Sequence, residues 1–247
     1  MSRKIANPAK QADGKDYLAH IAYDSVVFGF SGDKLKILLM EYRNTGLFAL
    51  PGGFVGRKMN LDDAVRAGLE ERTGLSGIYM EQFHTFGDCN RQDASVLKKI
   101  MKANGIEAEK DHWLLDRFIS VAYYALINYK AVKLQPDALS DSCDWYPVDA
   151  LPQLILDHGK IVEKALQALR WNTDDRIIGM KLLPEKFTMK ELQQVYENIL
   201  GEQLERANFQ RKMIASGLLT RHAAQFTGKA HKAPYLYSFA EKKTSVF

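Results

Sequence analysis

Residues 50–75, LPGGFVGRKMNLDDAVRAGLEERTGL, constrain the fold of this 247-residue chain more than any other stretch. The sequence opens on a Pro-Gly-Gly turn and passes into an amphipathic helix over 61–72. Asn60 is placed to cap that helix, Asp62 and Asp63 lie in its first turn where the dipole favours acids, and Gly74 ends it. Positions 68, 71 and 72 are three and four apart and share one helix face. Three carboxylates there would hold a magnesium ion, which takes near-octahedral oxygen ligands. This chain instead carries Gly68, Glu71 and Arg72. Glu70 is rotated by about 100° from Glu71 and points elsewhere. One carboxylate beside an arginine is a poor magnesium site.

These residues resemble the Nudix box, G-x5-E-x7-R-E-U-x-E-E-x-G-U, with U aliphatic. Gly53, Leu69, Glu71, Gly74 and Leu75 match that pattern. Met59 stands at the first Glu, Ala67 at the Arg, Gly68 at the next Glu and Arg72 at the last Glu. The resemblance implies a diphosphate-binding fold that keeps its shape while its catalytic metal site is dismantled. It thus implies no catalytic residues, no metal and no cofactor.

Composition bounds the rest. The chain is 46% hydrophobic and 26% charged, ordinary for a soluble globular protein of one large or two small domains. No run of 18 apolar residues is present, so no membrane span is expected. The start, MSRKIANPAKQADGKDY, is polar and reads as a flexible arm over 1–16 rather than a secretory signal. Two cysteines, Cys89 and Cys143, make no disulfide framework, and the cytoplasm is the expected compartment. A net charge of +4 mildly favours an anionic partner.

Apolar, β-branched runs predict strands over 21–30 and 34–42, joined at Gly32-Asp33, then over 78–86, 117–129 and 142–148. In the strand 117–129, Tyr123 and Tyr124 alternate, one toward the core and one toward a possible pocket. A helix is expected over 159–169. Residues 92–116 read as an insertion into a hairpin, with a short helix ending at Asn104-Gly105; it is either a lid or a surface decoration. The first domain is placed at 17–172 and a linker at 173–186.

Beyond the linker, at 187–247, the pattern changes. A helix over 187–201 carries a capping box, Thr188 with Glu191, and an apolar stripe of Leu192, Val195, Tyr196 and Ile199. A second helix over 204–216 turns Phe209, Met213 and Ile214 inward. A strand, a basic loop and the returning strand 235–239 follow. Helix, turn, helix and hairpin is the order of a winged helix-turn-helix, whose second helix enters the DNA major groove. Between 204 and 233 stand six cations, Arg206, Arg211, Lys212, Arg221, Lys229 and Lys232, against one acid, Glu205. Cations gathered on one helix and one wing are an electrostatic footprint for phosphates.

A degenerate Nudix domain followed by a basic winged helix resembles the Nudix-related transcriptional regulators of the NrtR and AraR kind. Its marks are LPGGF, SVAYYALI, LPQLILDHGKIVEKAL and FTMKELQQVYENILGEQLERANFQRKM. The fold class expected is α+β: a Nudix-like α/β/α sandwich with a mixed sheet, then the winged helix. The resemblance implies a metabolite effector, either an ADP-ribose-like nucleotide or a sugar, and a double-stranded DNA operator. It also implies a homodimer with recognition helices about 34–36 Å apart. Effector candidates are Arg43, Gly52, Gly53, Glu71, Arg72, Arg91 and Arg117, the arginines as anion clamps; His158 is a weaker one. DNA candidates are Arg206, Asn208, Gln210, Arg211 and Lys212 for bases, and Arg221, Lys229 and Lys232 for phosphates. The alternative is a Nudix hydrolase of ADP-ribose or a related nucleoside diphosphate.

Overall fold

Strand β1 (Tyr17–Ser31) is buried at every residue from Tyr23 to Phe30, as a strand is when both sheet faces are covered. The computed structural model describes residues 14–31, 34–107, 109, 111–171, 181–224 and 233–240. Within them β1 is antiparallel to β2 (Lys34–Tyr42) and β4 (Gly52–Gly56) and parallel to β6 (Ile119–Ile127). Strand β3 (Leu47–Ala49) and β7 (Ser140–Pro147) pair with β2, and β5 (Tyr79–Phe86) pairs with β6, completing a mixed seven-stranded sheet. Ser31 faces Lys34 across the first hairpin; Gly32 and Asp33 lie outside the described residues.

The period-two alternation assigns side chains to two faces. Val27, Leu38, Val55 and Tyr123 pack beneath helix α1 (Leu61–Thr73), through Val65 and Leu69. Val26, Phe28, Ile37 and Tyr124 face helix α3 (His158–Trp171), through Ile161, Val162 and Ala165. Both tyrosines of the expected alternation are therefore core, with hydroxyls donating to Asp62 and Glu81 at 2.6 Å each.

The second part begins with a short strand, β8 (Phe187–Thr188), where the sequence suggested helix, and continues into α4 (Met189–Leu200). The capping box on Thr188 and Glu191 is formed. Helix α5 (Arg206–Ala215), β9 (Leu219–Ala224) and β10 (Tyr235–Phe239) follow, and the three strands form one sheet in the order β8-β10-β9. This part shares the core of the first. Leu192, Val195, Ile199, Phe209, Met213 and Tyr237 belong to the same apolar cluster as Phe28 and Ile37. Leu35 N donates to Asn198 Oδ1 at 3.1 Å, and Arg170 Nε to the Ile199 carbonyl at 2.6 Å.

Three local expectations are corrected. Gly52 and Gly53 are strand residues rather than a turn before the helix. A Cβ on Gly52 would lie 2.7 Å from Asp24 Oδ1, and one on Gly53 2.6 Å from Tyr23 Oη, so close approach to β1 requires both glycines. Asn60 occupies the N-cap position, yet its side chain makes no capping bond and donates to Asp63 Oδ2 instead. Ile214 is 52% exposed rather than inward, because α5 buries only Phe209 and Met213.

Candidate functional site

A cavity of about 450 Å³ opens between β1, β4, α1, the start of α3 and residues 92–116. Of the effector candidates, Gly52, Gly53, Glu71, Arg72 and Arg91 line it. Arg43 and Arg117 do not: both are exposed, and the Arg43 guanidinium lies 3.8 Å from Asp141. Sequence distance hid this, since an arginine near a strand end can point to either side of the sheet.

Arg72 is buried and its guanidinium is occupied on every side. Nη1 donates to the Gly68 carbonyl at 2.9 Å, and Nη2 to the Gly52 carbonyl and to Asp137 Oδ2 at 3.1 Å each. Nε lies 3.1 Å from Met40 Sδ. The Tyr23 hydroxyl fills the remaining space above α1, and a Cβ on Gly68 would lie 2.3 Å from it. Burial pushes the Tyr23 phenol up, opposed by the Arg72 guanidinium. A glutamate at 68 has no room, and the charge at 72 is positive, so the residues here do not fit magnesium. Among the described residues no group of three or more His, Cys, Asp or Glu side chains is placed to hold a metal ion.

Arg91, an effector candidate, is buried. Its Nε and Nη2 form a fork on Asp157 at 2.9 Å each, and Nη1 donates to the Phe118 carbonyl at 2.9 Å. Asp24 stands beside this pair. Its Oδ2 accepts from Ser120 Oγ at 2.5 Å and lies 3.6 Å from Arg91 Nη2; its Oδ1 lies 3.7 Å from His158 Nε2. His158 Nδ1 accepts from Leu50 N at 2.9 Å, which leaves the ring proton on Nε2, facing Asp24. His158 therefore holds a distant segment, its bond to Leu50 spanning 108 positions, and also lines the cavity.

The sequence reading missed the aromatic wall. Tyr17 stacks on Trp113 with centroids 5.8 Å apart, and Phe54 meets Trp113 edge-on at 4.8 Å and Phe118 at 5.2 Å. Trp113 comes from the insertion, whose helix α2 (Ala94–Ala103) is capped by Asp93 and turns Leu97, Ile100 and Met101 to the cavity. The insertion is therefore part of the site. The apolar stripe on α2, with a tryptophan further along the same insertion, was the available signal. Tyr42 also lines the cavity, its phenol pushed up to about 12 by burial and then by Asp137.

A second charged surface lies on the other part of the chain. Glu205 caps α5, accepting from Ala207 N and Asn208 N, so the one acid there is committed to the helix terminus. Those bonds hold its carboxyl below the usual range. Arg206, Asn208, Arg211 and Lys212 are exposed on α5, Gln210 is half-buried, and Arg211 Nη2 donates to Asn208 Oδ1. On the wing the Arg221 guanidinium lies 4.7 Å over the Tyr235 ring. Lys229 and Lys232 lie outside the described residues.

A metabolite-sized cavity in a Nudix-like domain, joined through a common core to a winged helix with a basic second helix, defines a DNA-binding regulator of transcription. Residues 179–239 match the family of the NrtR DNA-binding winged helix domain. The chain is 31% identical over 225 residues to the ADPR responsive transcriptional repressor NtrR of Acinetobacter baylyi, spanning 88% of this chain and 80% of that one. The chain belongs to this NrtR family of Nudix-related regulators. It superposes on Shewanella oneidensis NrtR complexed with a 27mer DNA with a TM-score of 0.66 and 28% identity, covering 89% of this chain and 93% of that one. An ADP-ribose pyrophosphatase of Methanocaldococcus jannaschii is 27% identical over 173 residues, 69% of this chain and 85% of that one.

Proposed function

We propose that this chain is a non-hydrolytic, effector-responsive transcriptional repressor that binds its operator as a homodimer in the cytoplasm. The observation that carries the reading is α5: Asn208, Arg211 and Lys212 share one exposed face, at helical spacings of three and four, with its only acid turned into the cap. Asn and Arg are the side chains that read adenine and guanine in bidentate fashion. Arg206 and Gln210 flank them, and Arg221, with Lys229 and Lys232, contacts phosphate. The likeness to a DNA-bound NrtR supports the same face.

The Nudix-like cavity is the effector site, with Gly52, Gly53, Glu71, Arg72 and Arg91 in its lining; the Acinetobacter relative is named for its response to ADP-ribose. Tyr23 over Gly68 and the Arg72–Asp137 pair support the loss of hydrolysis. We place the first domain at 17–172, a linker at 173–186 and the winged helix at 187–247. No helix among the described residues is long and apolar enough to cross a membrane. The effector acts only by preferring one of two states of the protein, and the shared core is the path by which that preference reaches α5.

The test is selection of bound fragments from sheared genomic DNA of the source organism, followed by anisotropy titration. A palindrome bound at least about 1000-fold tighter than random DNA is expected. Equal affinity for unrelated sequences, with the same steep salt slope, overturns the reading.

A further inference from the structure

We propose that helix α3 carries the state of the cavity to the operator-reading helix, and that Arg170, in the last turn of α3, is the residue that positions α5. The inference rests on the cavity being the effector site and α5 the operator helix. It narrows the path through the shared core to one element.

The near end of α3 is built into the cavity wall. Leu156 and His158 line the cavity, and Asp157 between them holds Arg91, a third lining residue, through the fork of two 2.9 Å bonds. His158 Nδ1 accepts from Leu50 N, and Ile155 N donates to the Phe48 carbonyl at 2.9 Å. Leu156 sits at φ 49°, in the left-handed region that a residue with a Cβ enters at a cost. The elbow that starts α3 is thus strained backbone pinned by contacts on the cavity side. A ligand that alters those contacts alters how the elbow, and the helix after it, is held.

The far end grips the winged part. Helix α3 runs for 14 residues, about 21 Å at the helical rise. Arg170 Nε donates to the Ile199 carbonyl at 2.6 Å, in the last turn of α4. Arg170 Nη2 lies 3.4 Å from where a Cβ on Gly201 would stand, and Gly201 ends α4 at φ 77°. From that corner two bonds lead to α5: Leu204 N donates to Glu197 Oε1 and Gln193 Nε2 to the Leu204 carbonyl, each at 2.9 Å. Tyr196 of α4 packs on Phe209 of α5 with ring centroids 5.4 Å apart. Helices α4 and α5 are therefore tied as one unit, and Arg170 holds that unit at its corner.

A second hydrogen bond joins the parts, from Leu35 N of β2 to Asn198 Oδ1. Strand β2 also reaches the cavity, through Met40 and Tyr42. Yet β2 is hydrogen-bonded to β1, β3 and β7, so it does not shift without breaking the sheet. Helix α3 lies on the sheet through Ile161, Val162 and Ala165, apolar contacts that have no direction and tolerate a small slide. A rigid helix with polar bonds at both ends and apolar contacts between them transmits a displacement along its axis. The strand does not.

Linkage is reciprocal, so a cavity that alters operator affinity is itself altered by the operator. Hydrogen exchange of the full-length chain, read by mass spectrometry with and without a saturating operator duplex from the fragment selection, tests this with no cavity ligand. In the native chain the operator is expected to change exchange over residues 91–103 by about fivefold or more. Arg170→Met is expected to abolish that change while the duplex still binds, and Asn198→Ala to keep it. Circular dichroism checks the fold of each variant. Asp157→Asn loosens the near end of α3, is expected to abolish the change as well, and keeps the test open if Arg170→Met does not fold. Unaltered exchange over 91–103 in the native chain, a change that survives Arg170→Met or Asp157→Asn, or one that Asn198→Ala removes equally, overturns the proposal. A chain that selects an operator but shows no such change loses only this relay. One that selects no operator loses the regulatory reading and this proposal with it.

Discussion

The Tyr23 hydroxyl stands where the first side-chain carbon of residue 68 would be, 2.3 Å from a Cβ built on Gly68. The ring of one residue thus enforces the absence of a side chain at the other, and a carboxylate cannot be restored at 68 by one substitution. Gly68→Ala is expected to lower stability by about 1–3 kcal/mol through overpacking. Tyr23→Phe removes the clashing oxygen, so the double variant should recover a measurable part of that loss in a urea-unfolding cycle. Strict additivity of the two changes would show that the contact does not constrain residue 68.

Arg72 and Asp137 form a largely buried pair, with side chains 10% and 17% exposed. Arg72→Met leaves Asp137 without its cation and takes a donor from the Gly52 and Gly68 carbonyls. The expected cost is about 3–5 kcal/mol, as for other broken buried pairs. Asp137→Asn in the Arg72→Met background should be less damaging than in the native chain, which urea unfolding at neutral pH would reveal.

Cys143 is buried and Cys89 is exposed. Burial pushes the Cys143 thiol up to about 11 from its ordinary 9.0. One thiol should react with a disulfide reagent in the native chain and two after denaturation. The sign for stability follows from which state ionises first: the unfolded chain loses this proton near pH 9 and the folded chain only near 11. The contribution is therefore complete below pH 9 and declines between 9 and 11, and Cys143→Ser should flatten that part of the stability profile.

Arg211→Ala is expected to weaken operator binding by about 1–3 kcal/mol and to relax preference at one base position. Arg221→Ala should weaken all sequences alike and reduce the salt slope by about one. Anisotropy titration at several salt concentrations separates the two. A uniform loss for Arg211→Ala would move it from base reading to phosphate contact.

Thr188→Ala removes the capping box of α4 and is expected to cost about 0.5–2 kcal/mol. Because α4 belongs to the common core, the loss should appear in a single unfolding transition seen by tryptophan fluorescence and by circular dichroism. Two separated transitions would show that the parts unfold independently.

What the sequence determined alone is what short-range physics encodes. Gly74 adopts φ 69° and ends α1, Thr188 and Glu191 cap α4, and the period-two runs become the strands they resembled, within a few residues. The missing carboxylates at 68 and 72 and the cations of α5 were likewise visible, since composition at fixed spacing needs no tertiary contact to be read. The tertiary structure alone decided which arginines reach the cavity. Arg91 meets Asp157, 66 positions away, while Arg43 and Arg117 turn outward. It also decided that residues 92–116 cover the cavity with Trp113, and that Leu35 and Asn198, 163 positions apart, join the two parts through one hydrogen bond. Caps and periodicity act over one turn or one pleat. A buried ion pair or a shared core depends on how distant segments pack, and nothing in the local sequence states that.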